Sequence, residues 1–236
     1  VGGAAVQALL AGADMVMALG ERATQQETLS ALAQCIESGA IANDALQQRL
    51  QRLNQLAQRY PAQGQPYGAL QEQNDHDLMR RAWQRALTLH PQAGQAPHAP
   101  APGSAVRVVV RADASSDGVS EAGLSAQDLL YWLRQHYDVA ITTFDTPEQL
   151  HWQDLPDDGR YVMLASTSRK RYGDHARRNW RPALHLCLWN PFQALDIDAP
   201  AVVSYGFAAP ALQAVGDWFH GRFVPQASNP CLVQSG

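Results

Sequence analysis

Hydrophobic and polar positions follow two different periods along the chain. Up to residue 91, apolar residues recur every three to four positions, which is the spacing of one helix face. This spacing predicts helices over residues 3–11, 25–38, 44–57 and 75–89. Asn43 is predicted to cap the third of these helices, because an asparagine side chain can accept a hydrogen bond from a free N–H of the first turn.

After residue 105, short apolar runs alternate with helical patterns. Strands are predicted at residues 106–110, 138–144, 161–165, 184–189 and 201–204. Helices are predicted at residues 125–137 and 174–180 and from Pro210 onward, with Ser125 as a cap. Such alternation predicts the α/β class, here an αβα sandwich whose sheet is mostly parallel.

Two stretches of the first part carry further predictions. Residues 13–19 are nearly all apolar, which is typical of a strand buried on both faces. Leu46, Leu50, Leu53 and Leu56 form one helical stripe that is too short for a coiled coil, so it is expected to pack in a core.

The change of period coincides with a segment rich in alanine, proline and glycine, residues 92–105. Such composition is typical of a linker. The sequence therefore predicts a first part over residues 1–91, a linker over 92–105 and an α/β domain over 106–236.

Composition excludes several classes of protein. The 236 residues carry a net charge of −4, so a nucleic-acid partner is not expected. No apolar run approaches the roughly 20 residues of a membrane span, so no membrane partner is expected and the location is predicted as cytoplasmic. The chain starts at Val1 with no signal-peptide pattern, which indicates a trimmed chain or a fragment.

No cofactor or metal is expected from the motifs. Cys35, Cys187 and Cys231 are scattered, and the eight histidines show no metal-ligand spacing. Cys187 is predicted to be a small buried hydrophobe in its strand. The glycines form neither a dinucleotide fingerprint nor a phosphate loop.

Two segments carry a family resemblance: AGADMVMAL at residues 11–19, and LCLWNPFQAL at 186–195 with AVVSYGF at 201–207. Together with VRVVVRADASSDGVSEAGLS at 106–125, they resemble family 3 glycoside hydrolases, in particular the bacterial β-N-acetylhexosaminidase branch. The resemblance implies that residues 1–91 are the end of a (β/α)8-type catalytic barrel with linking helices. Residues 106–236 would then be the C-terminal α/β domain.

The resemblance also implies a retaining hydrolase of terminal β-linked N-acetylhexosamine, which needs a carboxylate nucleophile and a separate acid/base. The family's Ser-Asp-x-x-x-Met-like and Lys-His-Phe-Pro-Gly-like motifs have no counterpart in this sequence, so no catalytic residue maps onto it. The catalytic groups would lie in a missing N-terminal barrel portion, and this chain alone should be inactive.

Four residues are candidates for contact with a carbohydrate substrate in the parent enzyme. Gly20 and Glu21 would lie at the barrel rim, and Asp113 and Asn190 at the carboxyl ends of strands, where α/β proteins bind ligands. The alternative for Asp113 and Asn190 is that they are turn residues.

Other polar motifs are interpreted structurally. Ser116-Asp117-Gly118 and Asp157-Asp158-Gly159 are predicted as turns. The basic segment 168–178, which includes Asp174 and His175, is predicted as a solvated surface, with an anion site for a phosphate or acidic sugar as the alternative. Trp180, Trp189 and Trp218 are predicted to pack in the core rather than to stack on sugars.

Two other classes of function remain open. The chain is alternatively a non-catalytic α/β module that binds carbohydrate or protein, or an unrelated flavodoxin-like domain with a helical extension. If the chain is a fragment of a barrel enzyme, a lone barrel strand at residues 13–19 would leave its backbone unpaired on both edges. We therefore expect this segment to be rearranged, or docked elsewhere, for example in a homodimer.

Overall fold

The computed structural model describes residues 1–62, 64, 68–112 and 123–228. Asp113, Ser116-Asp117-Gly118 and Cys231 lie outside the described residues. The described residues before Gly68 form one compact unit, and those from Gly68 onward form another. Each unit is described by itself.

The first unit consists of three helices: α1 (Gly2–Leu10), α2 (Arg22–Glu37) and α3 (Asn43–Arg59). Its small core is built on Leu9, Cys35 and Ile41. Helices α1 and α2 approach closely at Gly2, where an added Cβ would lie 2.8 Å from the Cβ of Ala31. The three predicted helices are confirmed within two to three residues at their ends.

The prediction of a strand at residues 13–19 is wrong. None of these residues belongs to a strand, and the side chains of Met15, Met17 and Leu19 are 67%, 80% and 54% exposed. A strand needs neighbours that satisfy its backbone groups, and the described first unit contains only helices. The segment is therefore rearranged, and Asp14 within it accepts hydrogen bonds of 2.9 and 3.0 Å from Nε of Arg52.

The prediction that the leucines of α3 pack in a core is wrong for Leu50 and Leu56, whereas the partly buried Leu46 packs against the core of the first unit. No residue of α3 is buried, and Leu50 and Leu56 are exposed. The predicted cap is displaced by one position, because Ala42 is the N-cap and Asn43 is the first helical residue. Helical periodicity was correct, but it does not specify what covers the apolar face.

The second unit contains a six-stranded sheet in the order β1-β6-β5-β4-β2-β3. Strand β1 is antiparallel to β6, and all other neighbours are parallel. The strands are β1 (Thr88–His90), β2 (Ala105–Arg111), β3 (Asp138–Phe144), β4 (Tyr161–Ser166), β5 (Leu184–Cys187) and β6 (Ala201–Val203). The helices are α4 (Ala69–Ala86), α5 (Ala126–Leu133), α6 (Asp174–Asn179) and α7 (Ala209–Phe219), with 3-10 helices at Pro147–Gln149, Trp152–Asp154 and Pro191–Leu195. The α/β class and the mostly parallel sheet are confirmed.

Both faces of this sheet are covered, because its central strands are apolar at successive positions. Val108 and Val110 of β2 face a core that includes Leu129 of α5 and Val215 of α7. Val109 points to the opposite face, into a second cluster. That cluster also contains Phe144, Leu164, Tyr172, Ala176, Trp180 and Ile197. Ser125 caps α5 as predicted, by accepting a hydrogen bond of 3.0 Å from the N–H of Asp128.

The helix predicted at residues 75–89 begins earlier and ends earlier. It spans Ala69–Ala86, and Leu89 belongs instead to β1, whose short run Thr88-Leu89-His90 pairs with β6. Helix α4 packs against α7, where Nε2 of Gln84 donates to Asp217 at 3.1 Å. The compact units thus divide before α4, earlier in the chain than the boundary predicted at residues 92–105.

The segment predicted as a linker is held against the second unit. The carbonyl of His98 accepts a hydrogen bond of 3.1 Å from the hydroxyl of Tyr161. The N–H of Gly103 donates to the carbonyl of His136 at 2.7 Å. Proline and glycine therefore shape an ordered connection to β2 here.

Candidate functional site

The parallel strands of the second unit end at one edge of the sheet, and polar residues gather there. Such an edge is where open α/β sheets bind ligands. Strand β2 ends at Arg111, whose guanidinium lies 5.3 Å from the ring centre of Phe144 and donates to the carbonyl of Asp145. Strands β4 and β5 end at Ser166 and Cys187. We take this carboxyl edge as the candidate site.

Asn190 lies at this edge as the N-cap of the 3-10 helix Pro191–Leu195. Its side-chain oxygen accepts a hydrogen bond of 3.1 Å from the N–H of Phe192. Its Nδ2 donates to the carbonyl of Arg169 at 2.9 Å. The interpretation of Asn190 as a turn former is confirmed, and its contact with substrate stays a prediction.

We expect Asn190→Ala to lower the free energy of unfolding by about 1 kcal/mol, the typical effect of removing a cap. Asn190→Asp keeps the acceptor for Phe192 and should recover part of that loss. Urea unfolding followed by tryptophan fluorescence measures both variants. Equal stability of wild type and Asn190→Ala would contradict the structural role of the cap.

The loop after β4 is fixed by two side chains from the segment that follows Asn190. Nε2 of Gln193 donates to the carbonyls of Ser168 and Lys170 at 3.1 and 2.6 Å. The buried carboxylate of Asp196 accepts two hydrogen bonds from Arg171 and one of 3.0 Å from the N–H of Tyr172. These bonds leave Arg171 paired rather than available to an anion.

Arginine and aromatic side chains form the outer part of this edge. The guanidinium of Arg169 lies 5.2 Å from the ring centre of Trp189, and that of Arg171 lies 5.6 Å from the ring of Phe192. Trp189 is half-buried and meets Phe207 edge to face. One face of Trp189 is therefore occupied by Arg169, which leaves little of the indole for a sugar ring.

The core interpretation of the other two tryptophans is confirmed. Trp180 is fully buried and contacts Phe144, Trp152 and Tyr172. Trp218 of α7 is also buried. Neither offers an accessible face.

A buried polar cluster lies beneath the candidate site. The Oγ of Ser166 is 2.7 Å from Nε2 of His185 and 2.8 Å from the hydroxyl of Tyr172. The sulfur of Cys187 lies 3.4 Å from the same imidazole nitrogen. Burial lowers the pKa of His185 to about 3 and raises the pKa of both Tyr172 and Cys187.

This serine–histidine distance is that of a nucleophile and its base, but both residues are inaccessible. Their role is therefore structural: Oγ of Ser166 and Nε2 of His185 satisfy each other within the sheet, while the buried Nδ1 of His185 has no hydrogen-bond partner among the described residues. Sequence reasoning missed the cluster, because its members come from three different segments. Only the topology, which pairs β4 with β5, brings them together.

The Tyr-Gly-Phe sequence after β6 makes a constrained turn at the same edge. Tyr205 adopts φ of 59°, a left-handed conformation that is uncommon outside glycine. Its hydroxyl lies 3.1 Å from Oγ1 of Thr88 in β1. A Cβ at Gly206 would lie 2.8 Å from the indole of Trp83, so α4 requires glycine here.

The predicted site residues do not all belong to one described unit. Gly20 and Glu21 belong to the first unit, where Gly20 has φ of 104° and Glu21 is the exposed N-cap of α2. Asn190 belongs to the second unit, and Asp113 is outside the described residues. Asp174 and His175 do not form an acid/base pair: Asp174 bonds Arg178 at 3.3 Å, and His175 lies beside Asn179.

Within the described residues, no three or more histidine, cysteine, aspartate or glutamate side chains are grouped as a metal site would require. The described helices include none with the length and apolar character of a membrane span.

No protein-family model matches this chain, and no curated protein sequence matches it. Several solved structures do match this chain. A family 3 β-N-acetylglucosaminidase from Paenibacillus sp. str. FPU-7 is 22% identical with a TM-score of 0.63, over 96% of this chain and 47% of that one. A fungal multi-domain family 3 β-N-acetylglucosaminidase is 16% identical with a TM-score of 0.59, over 97% of this chain and 29% of that one.

The β-glucoside phosphorylase BglX bound to 2FGlc is 16% identical with a TM-score of 0.57, over 97% of this chain and 45% of that one. This chain thus spans less than half the length of each structure. It shares the fold of the matching part of these enzymes, and the resemblance to family 3 glycoside hydrolases is confirmed at the level of the fold.

Proposed function

We propose that this chain is the C-terminal portion of a retaining glycoside hydrolase that cleaves terminal β-linked N-acetylhexosamine. The observation that carries this proposal is the shared fold over 96% of the chain with a β-N-acetylglucosaminidase, at a TM-score of 0.63. The Trp-Asn-Pro turn after β5 and the Tyr-Gly-Phe turn after β6 support it from the sequence. Both segments carry the family resemblance and both shape the carboxyl edge.

In this proposal the nucleophile and the acid/base come from outside this chain. Retaining hydrolysis needs two carboxyl groups about 5 Å apart on either side of the glycosidic bond. Two buried carboxylates of the second unit are already engaged by arginine: Asp196 by Arg171, and Asp217 by Arg222. Asp158 likewise bonds Arg107 at 2.6 Å. These pairs support structural roles for the three carboxylates.

The partner that this proposal requires is the preceding portion of a catalytic barrel. The segment 13–19 supports it, because three large apolar side chains, Met15, Met17 and Leu19, are exposed together. Alternate positions of a strand share one face, so the three could lie against a common neighbour if the segment paired with other strands. The same side chains would stabilise the parent enzyme when covered.

A second candidate function is a non-catalytic module that binds carbohydrate or protein through the carboxyl edge. The exposed ring of Phe192, beside the half-buried Trp189, favours it. Titration with N-acetylglucosamine oligomers, followed by tryptophan fluorescence, distinguishes this function. Saturable binding by the 236-residue chain alone would favour the binding module.

The proposed function is tested with the longer protein that contains this chain. We expect turnover of an aryl β-N-acetylglucosaminide, with the β-configured sugar released first. The matched controls are the aryl β-glucoside and the aryl α-N-acetylglucosaminide, which should be poorer substrates. Preference for either control substrate would overturn the assigned substrate class.

A further inference from the structure

A basic cleft of about 490 Å³ lies in the second unit, apart from the carboxyl edge. It lies between the end of α6, the last residues of the 3-10 helix Pro191–Leu195 together with the segment that follows, and the end of β1. We call it the arginine cleft. Its charged and polar lining consists of Arg177, Arg178, Arg181, His90, Gln92 and Asp198.

The three guanidinium groups of the arginine cleft differ in their existing partners. Among the described residues, Arg177 has no side-chain hydrogen bond or ion pair. Arg178 has only the 3.3 Å contact with Asp174, in which both side chains are largely exposed. Such exposed pairs contribute little, so most of the hydrogen-bonding capacity of Arg178 remains available.

The side chain of Arg181 is held by hydrogen bonds to main-chain carbonyls. Its Nη1 donates to the carbonyls of Arg177 and Trp180 at 3.1 and 2.7 Å. A guanidinium has five N–H groups, so Arg181 retains donors after these bonds. Its orientation is therefore set in advance of any ligand.

The single carboxylate of the arginine cleft is already hydrogen-bonded. Nε2 of Gln92 donates to Oδ1 of Asp198 at 2.5 Å, across 106 positions of sequence. Three guanidinium groups against this one carboxylate give the lining an excess of positive charge. Burial lowers the pKa of His90, so near neutral pH its imidazole is uncharged and offers a hydrogen-bonding nitrogen.

Stabilisation of helix α6 accounts for two of the three arginines. Arg177 and Arg178 lie in the last turn of α6, where basic residues favour the negative end of the helix dipole. It does not account for Arg181, which lies beyond the helix, or for the convergence of all three arginines with His90 on one concavity. Several guanidinium groups around one pocket can donate paired hydrogen bonds to the oxygens of a phosphoryl group.

We propose that the arginine cleft binds a phosphoryl group, either as inorganic phosphate or as the phosphomonoester of a small sugar. The ligand oxygens accept hydrogen bonds from Arg177 and Arg178, while Arg181 is the fixed donor.

The test is isothermal titration of the 236-residue chain with two probes, inorganic phosphate and N-acetylglucosamine 6-phosphate, at constant ionic strength. We expect saturable binding of at least one probe. The double variant Arg177→Gln/Arg178→Gln should weaken it at least about tenfold, because charge-assisted hydrogen bonds are lost. Binding of both probes indicates recognition of phosphate itself, and binding of the sugar phosphate alone indicates an ester.

Arg134→Gln is the matched control, because Arg134 is an exposed arginine of the same unit that lies outside the cleft. It should leave the affinity unchanged. Thermal unfolding without phosphate confirms that each variant is folded. Absence of saturable binding for both probes, or an equal loss in the Arg134→Gln control, would overturn the proposal.

Discussion

The second unit is expected to lose stability steeply as the pH falls from about 6.5 towards 3, because His185 is folded in its neutral form. An unfolded histidine has a pKa near 6.5, whereas burial lowers the pKa of folded His185 to about 3. Between these values the unfolded chain binds the extra proton, so acid favours unfolding. Stability from this residue is therefore complete above about pH 6.5 and declines below it.

The difference between the unfolded and folded pKa of His185 lowers the free energy of unfolding by at most about 5 kcal/mol, at roughly 1.4 kcal/mol per pKa unit. That is comparable to the whole stability of many domains. His90 and His136 act in the same direction, since burial lowers the pKa of each. Acid unfolding should accordingly begin well above the range in which exposed carboxylates titrate.

The measurement is the free energy of unfolding in urea as a function of pH. All six tryptophans lie after Gly68, so their fluorescence reports the second unit alone. His185→Gln should flatten the slope between pH 6.5 and 3, whatever it does to stability at neutral pH. His76→Gln, at an exposed position of α4, is the control and should retain the wild-type slope. An unchanged slope in His185→Gln would show that this imidazole is protonated without unfolding.

Trp180→Ala is expected to lower the free energy of unfolding by about 3–5 kcal/mol, the usual cost of removing a large buried aromatic side chain. Trp180 is fully buried between the rings of Phe144, Trp152 and Tyr172. Its Nε1 also donates to the carbonyl of Leu150 at 3.3 Å. The substitution opens a cavity beneath the sheet and leaves that carbonyl without this bond.

Trp180→Phe should cost less, because it keeps an aromatic ring in the cluster. Tyr131→Ala is the matched surface control, since Tyr131 of α5 is 74% exposed and should change stability little. Urea unfolding by circular dichroism measures all three variants. A loss below about 1 kcal/mol in Trp180→Ala would contradict the tight packing of this cluster.

The sheet of the second unit was predictable because its central strands are continuous apolar runs. VVV in β2 and VMLA in β4 fill both faces, and few other structures accommodate such runs between turns. Strand β1 was missed because three residues carry no periodicity. Its existence depends on pairing with β6, which lies more than 100 residues later.

At residues 13–19 the error is the opposite one: a strand was predicted where none forms. Their composition favours a strand, but a strand is stable only where neighbouring strands satisfy its backbone. Leu50 and Leu56 of α3 are exposed for a related reason, because a period identifies an apolar face without identifying what covers it. Both errors concern long-range partners, which local patterns do not encode.

The candidate site was predictable only in part. Asn190 could be placed at the carboxyl edge because an asparagine before proline is a strong local turn signal. The bonds from Asp196 to Arg171 and Tyr172 were not predictable, since they join residues 24 or 25 positions apart across a strand crossover. The arginine cleft was predictable only in part: the alternative of an anion site within residues 168–178 includes Arg177 and Arg178, but their convergence with Arg181 and His90 depends on where β1 ends.

The central claim is that this chain has the fold of a glycoside hydrolase portion whose catalytic groups lie elsewhere. The most direct measurement compares the purified 236-residue chain with the longer protein that we propose contains it, at equal concentration, on an aryl β-N-acetylglucosaminide. We predict turnover by the longer protein and none above the buffer rate by this chain. Turnover by the purified chain alone would contradict the claim and place a complete catalytic site within these residues.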